Sequence, residues 1–282
     1  MSLSLADLGA PIATGRSAEI YAWPPAGPDL PDDLVVKLFA EGYAPDLVAA
    51  EEAACAEVLG IGLTDIRCHG QVRVESRAGL LLDRIHGDSL TRLSERNPLR
   101  LRENSRVLAR EHVRMHEAST DLLPDVRDTA LGALDTAPLG FLTVAEHGRA
   151  EEVIRALPSG DRVLHLDYHP ENVFAHGGGF TVIDWQTALR GDPAADVATT
   201  VLLLRDAELW PGTPALKRLL VNAVRRLVLS TYLAEYTRLT AMTTARVDAW
   251  RAPALVLRMS TLDIPSERDR FRAELRELLA RP

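Results

Sequence analysis

The stretch that most constrains this chain is residues 162–184, RVLHLDYHPENVFAHGGGFTVID. An apolar strand start, Arg162 to Leu166, runs into Tyr168-His169-Pro170-Glu171-Asn172, which has the Pro and polar residues of a loop. Asn172 to Ala175 reads as a strand, His176-Gly177-Gly178-Gly179 as a turn, and Phe180 to Ile183 as the returning strand, ending on Asp184. A hairpin sets its outer ends side by side, so Asp167, Asn172 and Asp184 are expected to converge. Two carboxylates and an amide make an oxygen-rich cluster suited to Mg²⁺, a hard cation that leaves coordination positions to water and phosphate. One carboxylate can be left over as a proton acceptor. The chain has 21 Asp but only four Asn. An Asp with an Asn five residues on is therefore expected about 0.3 times by chance, and the His two before and the strand-ending Asp after must carry the rest.

The spacing His165-x-Asp167-x-x-x-x-Asn172 is that of a kinase catalytic loop. Phosphoryl transfer needs this arrangement, a base on the nucleophile and metal on the phosphates. HLDYHPENVF, then VIDW, then GDPAADVA resembles the aminoglycoside phosphotransferase family, the small-molecule-kinase branch of the protein-kinase-like superfamily. The family pattern is roughly His-Gly-Asp-x-x-x-x-Asn, Ile-Asp-Phe/Trp and Gly-Asp-Pro-x-x-Asp. The chain departs from it at Leu166, where the family usually has Gly, a difference that bears on the local turn and not on the carboxylate. It differs from protein kinases in having Trp185 and Gln186 after Asp184 and no following Ala-Pro-Glu. The resemblance implies an α+β, two-lobed protein-kinase-like fold. A small antiparallel N-lobe with one helix, residues 1–86, would bind nucleotide. A larger, mainly helical C-lobe, residues 87–282, would carry the catalytic hairpin and bind substrate.

A chain of 282 residues is long enough for two such lobes, and 46% hydrophobic with 26% charged residues is a globular composition. No apolar run reaches the roughly 18 residues of a membrane span, so no membrane partner is expected. MSLSLADLGAPIA has no basic segment ahead of an apolar core, so no secretory signal is expected. Cys55 and Cys68 have no metal-site spacing, and a reduced cytoplasm is the simplest location. The net charge of -8 argues against nucleic acid. Of 32 basic residues only Lys37 and Lys217 are Lys.

In the first lobe, GAPIATGRSAEIYAW (9–23) reads as strand, turn, strand, with Gly15 at the turn and a period of two from Ser17. A plain β-hairpin would look the same. In a kinase this hairpin covers the nucleotide phosphates, which makes Gly15 and Ser17 the expected phosphate contacts. PPAGPDLPDD (24–33) is a loop. Leu34 to Phe39 is a strand with Lys37 among apolar neighbours. Lys37 is either an edge lysine reaching water or the phosphate-binding lysine of a kinase third strand, tethered by a helix Glu. A helix over 44–60 puts Val48, Ala49, Glu52, Cys55, Ala56 and Leu59 on one face. Glu52 is the first candidate partner for Lys37, with Glu51 only weakly separated from it. Strands are expected over 66–74 and 78–85. The second resembles the family's hinge, where the main chain of Asp83 and Ile85 would bind the purine.

Residues 88 to 157 read as mostly helical, with short helices or a loop over 121–139 and a helix over 146–157. His112 and His116 are four apart, a possible metal pair. With no third ligand at a zinc-like spacing, a packed or capping role is preferred. Residues 185–193 read as a loop. Asp192-Pro193 opens a helix, with Asp192 as cap and Asp196 tying that helix to the catalytic loop. Helices follow over 214–239, 241–259 and 265–280.

The expected function is transfer of the γ-phosphate of ATP or GTP to a hydroxyl of a small molecule, by a monomer or homodimer. Asp167 would be the base, Asn172 and Asp184 the Mg²⁺ ligands, and Lys37 the α,β-phosphate contact. The alternative is a nucleotide-binding regulatory module of the same fold without turnover. A protein kinase is a third and weaker reading. An aminoglycoside is a polycation that wants an acidic site, whereas the last third of the chain is rich in Arg.

Overall fold

The computed structural model describes residues 4–24, 30–31, 33–206, 214–262 and 264–281. Contacts divide the chain into two units: one runs up to Asp88 and includes Phe174–Thr187, the other holds Ser89–Val173 and the chain from Ala188 onward. A division in sequence at Gly87 would leave Phe174–Thr187 in the second unit. The Pro-rich segment 24–33 lies largely outside the described residues. No helix among the described residues is long and apolar enough to cross a membrane.

The first unit begins with a single turn, α1 (Leu5–Leu8), capped by Ser4, whose N–H and hydroxyl both donate to Asp7. Then come β1 (Ala13–Thr14), β2 (Ala18–Ala22), β3 (Leu34–Phe39), α2 (Pro45–Gly60), β4 (Cys68–Val74) and β5 (Arg77–Asp83). The five strands form one antiparallel sheet in the order β1-β2-β3-β5-β4. Successive side chains of a strand point to opposite faces. Val36 and Leu38 therefore pack with Leu8, Tyr21 and Val74 on one face. Phe39 packs with Ala18, Val48 of α2 and Leu80 on the other, and Lys37, two residues before Phe39, points to that same face. The buried face of α2 is Val48, Glu51, Ala54, Cys55 and Val58. The expected face shared Val48 and Cys55 with it but ran through Glu52. Both sets keep helical spacing, so periodicity alone could not choose between them.

The second unit opens with α3 (Leu90–Arg96), α4 (Leu101–Glu117), α5 (Val126–Ala133), α6 (Val144–Ala156) and β6 (Arg162–Leu164). Side chains of Ser89, Asp125 and Thr143 cap α3, α5 and α6. Next along the chain are β7 (Val173–His176) and β8 (Gly179–Val182), which from Phe174 onward belong to the first unit. Their two-residue loop is Gly177-Gly178, with φ of +56° and +81°, the left-handed pair a tight hairpin demands. The hairpin is tied to its neighbours within the first unit. Ala175 N–H donates to the Asp88 carbonyl at 3.0 Å, and the Thr64 and Thr181 hydroxyls meet at 3.0 Å. A Cβ on Gly87 would lie 1.9 Å from the Ala175 carbonyl oxygen, so only glycine allows this approach.

The expected loop at 185–193 instead holds a 3₁₀ turn, Trp185–Thr187, and β9 (Leu189–Gly191). β9 pairs antiparallel with β6, Val163 opposite Arg190. A three-residue strand carries too few alternations to show in sequence. The helices α7 (Pro193–Asp206), α8 (Ala215–Thr240), α9 (Thr244–Ala249), α10 (Arg251–Thr261) and α11 (Pro265–Leu279) complete the unit. The single helix expected over 241–259 is thus two. α8 ends on Ala241 at φ +56°, Thr243 caps α9, and Pro253 sits in the first turn of α10, where its missing N–H costs nothing. Leu108, Val163, Leu164, Val197, Tyr232 and Leu255 are fully buried in the second unit.

Candidate active site

Lys37 is the hub of the first unit's polar site. Its Nζ lies 2.6 Å from Glu51 Oε1 and 2.6 Å from Asp184 Oδ1. Burial pushes the ammonium toward neutrality, but the charges of Asp184 and Glu51 outweigh it and hold Lys37 above its usual range. Lys37 is therefore a fixed, buried cation and not an edge lysine reaching water. Glu51 is pushed up by burial against the pull of Lys37. Glu52 is not the partner: it accepts from Gln71 Nε2 at 2.8 Å. Glu52 looks toward β4, while Glu51 is carried into the core beside Val48 and Cys55. The Asp184 side chain is 38% exposed, so a carboxylate held by Lys37 through one oxygen still reaches solvent.

In the second unit the loop after β6 is fixed from several sides. Asn172 donates through Nδ2 to the Asp167 main-chain carbonyl at 3.0 Å. Its amide oxygen is thereby the atom turned to other chemistry. Asp167 N–H points to His165 Nδ1 at 3.3 Å, and His169 Nε2 lies 3.7 Å from Asp167 Oδ2. The Tyr168 hydroxyl donates to the Leu108 carbonyl, and Thr200 of α7 donates to the Tyr168 carbonyl. Fully buried Tyr168 and His165 thus point into the helices while the Asp167 carboxylate stays 32% exposed.

Asp196 of α7 anchors this loop. It accepts the backbone N–H of His165 and of Leu166, the latter at 2.9 Å, which is the tie expected from the sequence. His116 Nε2 is 3.3 Å from the same carboxylate, and His112 Nε2 is 3.2 Å away without the alignment of a hydrogen bond. Burial pushes Asp196 up, but the adjoining imidazoles hold it well below the usual carboxylate range. Tyr232 and Tyr236 of α8 bond the Nδ1 atoms of His112 and His116 at 2.6 and 2.7 Å. The three potential ligand groups of His112, His116 and Asp196 lie within 4.8 Å of one another, so the missing third ligand exists, 80 residues from His116. With two backbone donors on Asp196 and a tyrosine on each imidazole, the cluster is a hydrogen-bonded fastener for the loop.

The remaining expected residues fall as follows. Gly15 N–H donates to the Ala18 carbonyl at 2.8 Å, closing the turn between β1 and β2. Ser17 Oγ donates to Gln186 Oε1 at 3.3 Å. Asp83 N–H is bonded to the Arg67 carbonyl at 3.0 Å, so of its main-chain groups the carbonyl is the one that can serve a purine. Ile85 lies just beyond β5, half-buried. Tyr43 and Gln186, in contact with each other, were not singled out from sequence, and no motif spacing marks them.

A five-stranded antiparallel sheet with a strand lysine paired to a helix glutamate, together with an anchored His-x-Asp-x-x-x-x-Asn loop on a helical unit, defines the protein-kinase-like class. The sequence matches the APH family, described as the phosphotransferase enzyme family, over residues 10–250, and the chain belongs to that family. Among curated proteins it has no match. Solved structures of similar fold include an aminoglycoside-3'-phosphotransferase of type VIII, at 18% identity and a TM-score of 0.57, covering 86% of this chain and 90% of that one. A putative fructosamine-3-kinase from Haemophilus somnus 129PT is 12% identical with a TM-score of 0.59, covering 96% and 90%. The aminoglycoside phosphotransferase APH(3'')-Id from Streptomyces rimosus, in complex with ADP and streptomycin, is 16% identical with a TM-score of 0.52, covering 84% and 90%. At these identities the likeness is one of fold.

Proposed function

We propose that this protein transfers the γ-phosphoryl group of a nucleoside triphosphate, ATP or GTP, to a hydroxyl of a small molecule. The observation that carries the reading is the buried Lys37, ion-paired to both Glu51 and Asp184. A chain with two lysines that buries one of them between two carboxylates has a use for a fixed compact cation. Lys37 holds the α- and β-phosphates, and Glu51 fixes Lys37. Gly15 and Ser17 meet the phosphates from the β1–β2 turn, and the main chain of Asp83 and Ile85 meets the base. The donors offered by Asn172 and Asp184, an amide oxygen and a carboxylate, fit Mg²⁺, which takes hard oxygen ligands. When bound, the cation neutralises charge on the phosphates. Asp167 orients the acceptor hydroxyl and takes its proton. Rate enhancement then comes from placement and charge stabilisation.

The ADP complex of the Streptomyces rimosus relative supports a nucleotide, and the relatives named for aminoglycosides and fructosamine support a small hydroxylated acceptor. The charge of the chain's last third favours a neutral or anionic acceptor over a polycation. The support is α8, which carries Lys217, Arg218, Arg225 and Arg226 in its first half and no acidic residue before Glu235.

The test is γ-phosphate transfer from Mg-ATP and Mg-GTP across aminoglycosides, macrolides and neutral and anionic hydroxylated metabolites. Asp167→Asn is expected to lower kcat by about 10²–10⁴-fold with little change in nucleotide affinity. Near-normal turnover by that variant would remove Asp167 as the base. Nucleotide binding with no transfer to any acceptor would favour a silent regulatory module.

A further inference from the structure

We propose that Gln186 is a positioning residue that clips the β1–β2 turn in place for the nucleotide phosphates. This rests on the reading of that turn as the phosphate loop. Gln186 sits two residues after Asp184 in the turn Trp185–Thr187. Its carboxamide has one acceptor and one donor end, and both are used. The oxygen receives the Ser17 hydroxyl at 3.3 Å, and the nitrogen donates to the Tyr43 hydroxyl. Tyr43 is a firm post. Its ring stacks on Phe39 at 4.6 Å, and Phe39 is fully buried beside Lys37, whose Nζ stands 5.4 Å from the Phe39 ring centre. One side chain therefore joins the phosphate turn to the lysine strand and to the segment leading into α2.

The turn needs such a fastening. β1 is two residues long and exposed at both, so beyond the Gly15–Ala18 bond that closes it, sheet pairing holds the turn weakly. The sequence offers one glycine there, with no Gly-x-Gly-x-x-Gly to shape a cradle from backbone alone. The Ser17 carbonyl is tied to Ala40 N–H at 2.9 Å, which fixes the β2 end of the turn but not its tip. The Ser17–Gln186 bond fixes the hydroxyl side.

Two readouts test the clip. In Gln186→Ala, amide hydrogen exchange across residues 15–17 of the nucleotide-free protein is expected to be several-fold faster. Mg-ADP affinity is expected to fall about 3- to 10-fold, the range of one or two neutral hydrogen bonds, while adenosine affinity stays as in wild type. Tyr43→Phe is expected to show the same pattern more weakly, and the double variant to be no worse than Gln186→Ala. Unchanged exchange together with unchanged or tighter Mg-ADP binding would overturn the clip, as would an equal loss for adenosine. If the wild type binds no Mg-nucleotide yet Gln186→Ala loosens residues 15–17, the clip stands and the kinase reading falls. If the wild type binds and the variant matches it in both readouts, the clip alone falls.

Discussion

Two non-glycine residues of the candidate site hold left-handed backbone, Leu166 at φ +59° and Asp184 at φ +66°. Asp tolerates this region; a leucine there costs about 1–2 kcal/mol. The bonds from the His165 and Leu166 N–H groups to Asp196 hold that conformation. Glycine, the family's usual residue here, adopts it without a Cβ penalty. Leu166→Gly is therefore expected to leave stability within about 1 kcal/mol of wild type, and Leu166→Val to cost about 1–2 kcal/mol more, read by denaturant unfolding. Near-identical stabilities would remove the strain argument. The neighbouring imidazole sets a pH dependence. Burial, and then His116 beside it, push His112 down to about 3. The unfolded chain protonates it near pH 6.5, so between about pH 6.5 and 3 the unfolded state binds more protons. Stability from this group is complete above that window and lost as pH falls through it, by at most about 1.4 kcal/mol per pH unit. His112→Phe is expected to be less stable at pH 7, since Tyr232 loses its hydrogen bond to the imidazole. Its melting temperature should nevertheless fall less steeply from pH 6.5 to 4. An unaltered slope would place the acid sensitivity elsewhere.

At the scale of elements, α2 separates two adjacent glutamates. Glu51, 2% exposed, faces Lys37, and Glu52 lies a helix face away on Gln71. Removing one member of a buried ion pair costs about 3–5 kcal/mol when it strands the other; Asp184 stays on Lys37, so the loss here falls at or below the low end of that range. Glu51→Ala is expected to show a loss of that order together with weakened Mg-ADP binding, and Glu52→Ala to stay within about 0.5 kcal/mol with unchanged binding. Equal effects from the two would contradict the assignment. Here sequence reached the right helix and the wrong one of two neighbours. Val48 and Cys55 belong to both candidate faces, and only packing against Phe39 and Leu80 decides which turns inward. The β7–β8 hairpin was legible because Gly177-Gly178 is a local signal sufficient for its turn. β9 and the break at Trp250 were not, because β9 gains its identity only by pairing with β6.

For the whole molecule, the family was readable because its motif residues stand close together in sequence at short, fixed spacings. The anchoring was less so. Asp196 was expected to tie α7 to the loop. The pairing of His112 and His116 with it joins residues about 80 apart, a contact no spacing rule reaches. The same holds for Tyr43 and Gln186, 143 residues apart. The proposed function requires a site for a Mg-nucleotide, and the most direct measurement is a thermal melt with Mg-ATP, Mg-GTP and no nucleotide, in wild type and Asp184→Ala. A ligand at about 100 times its Kd adds roughly 2.7 kcal/mol, a shift of several degrees for a chain of this size. The predicted result is a rise in melting temperature that requires Mg²⁺ and is lost in Asp184→Ala. No shift with either nucleotide, or one that survives the loss of Asp184, would contradict a nucleotide site built on Lys37 and Asp184.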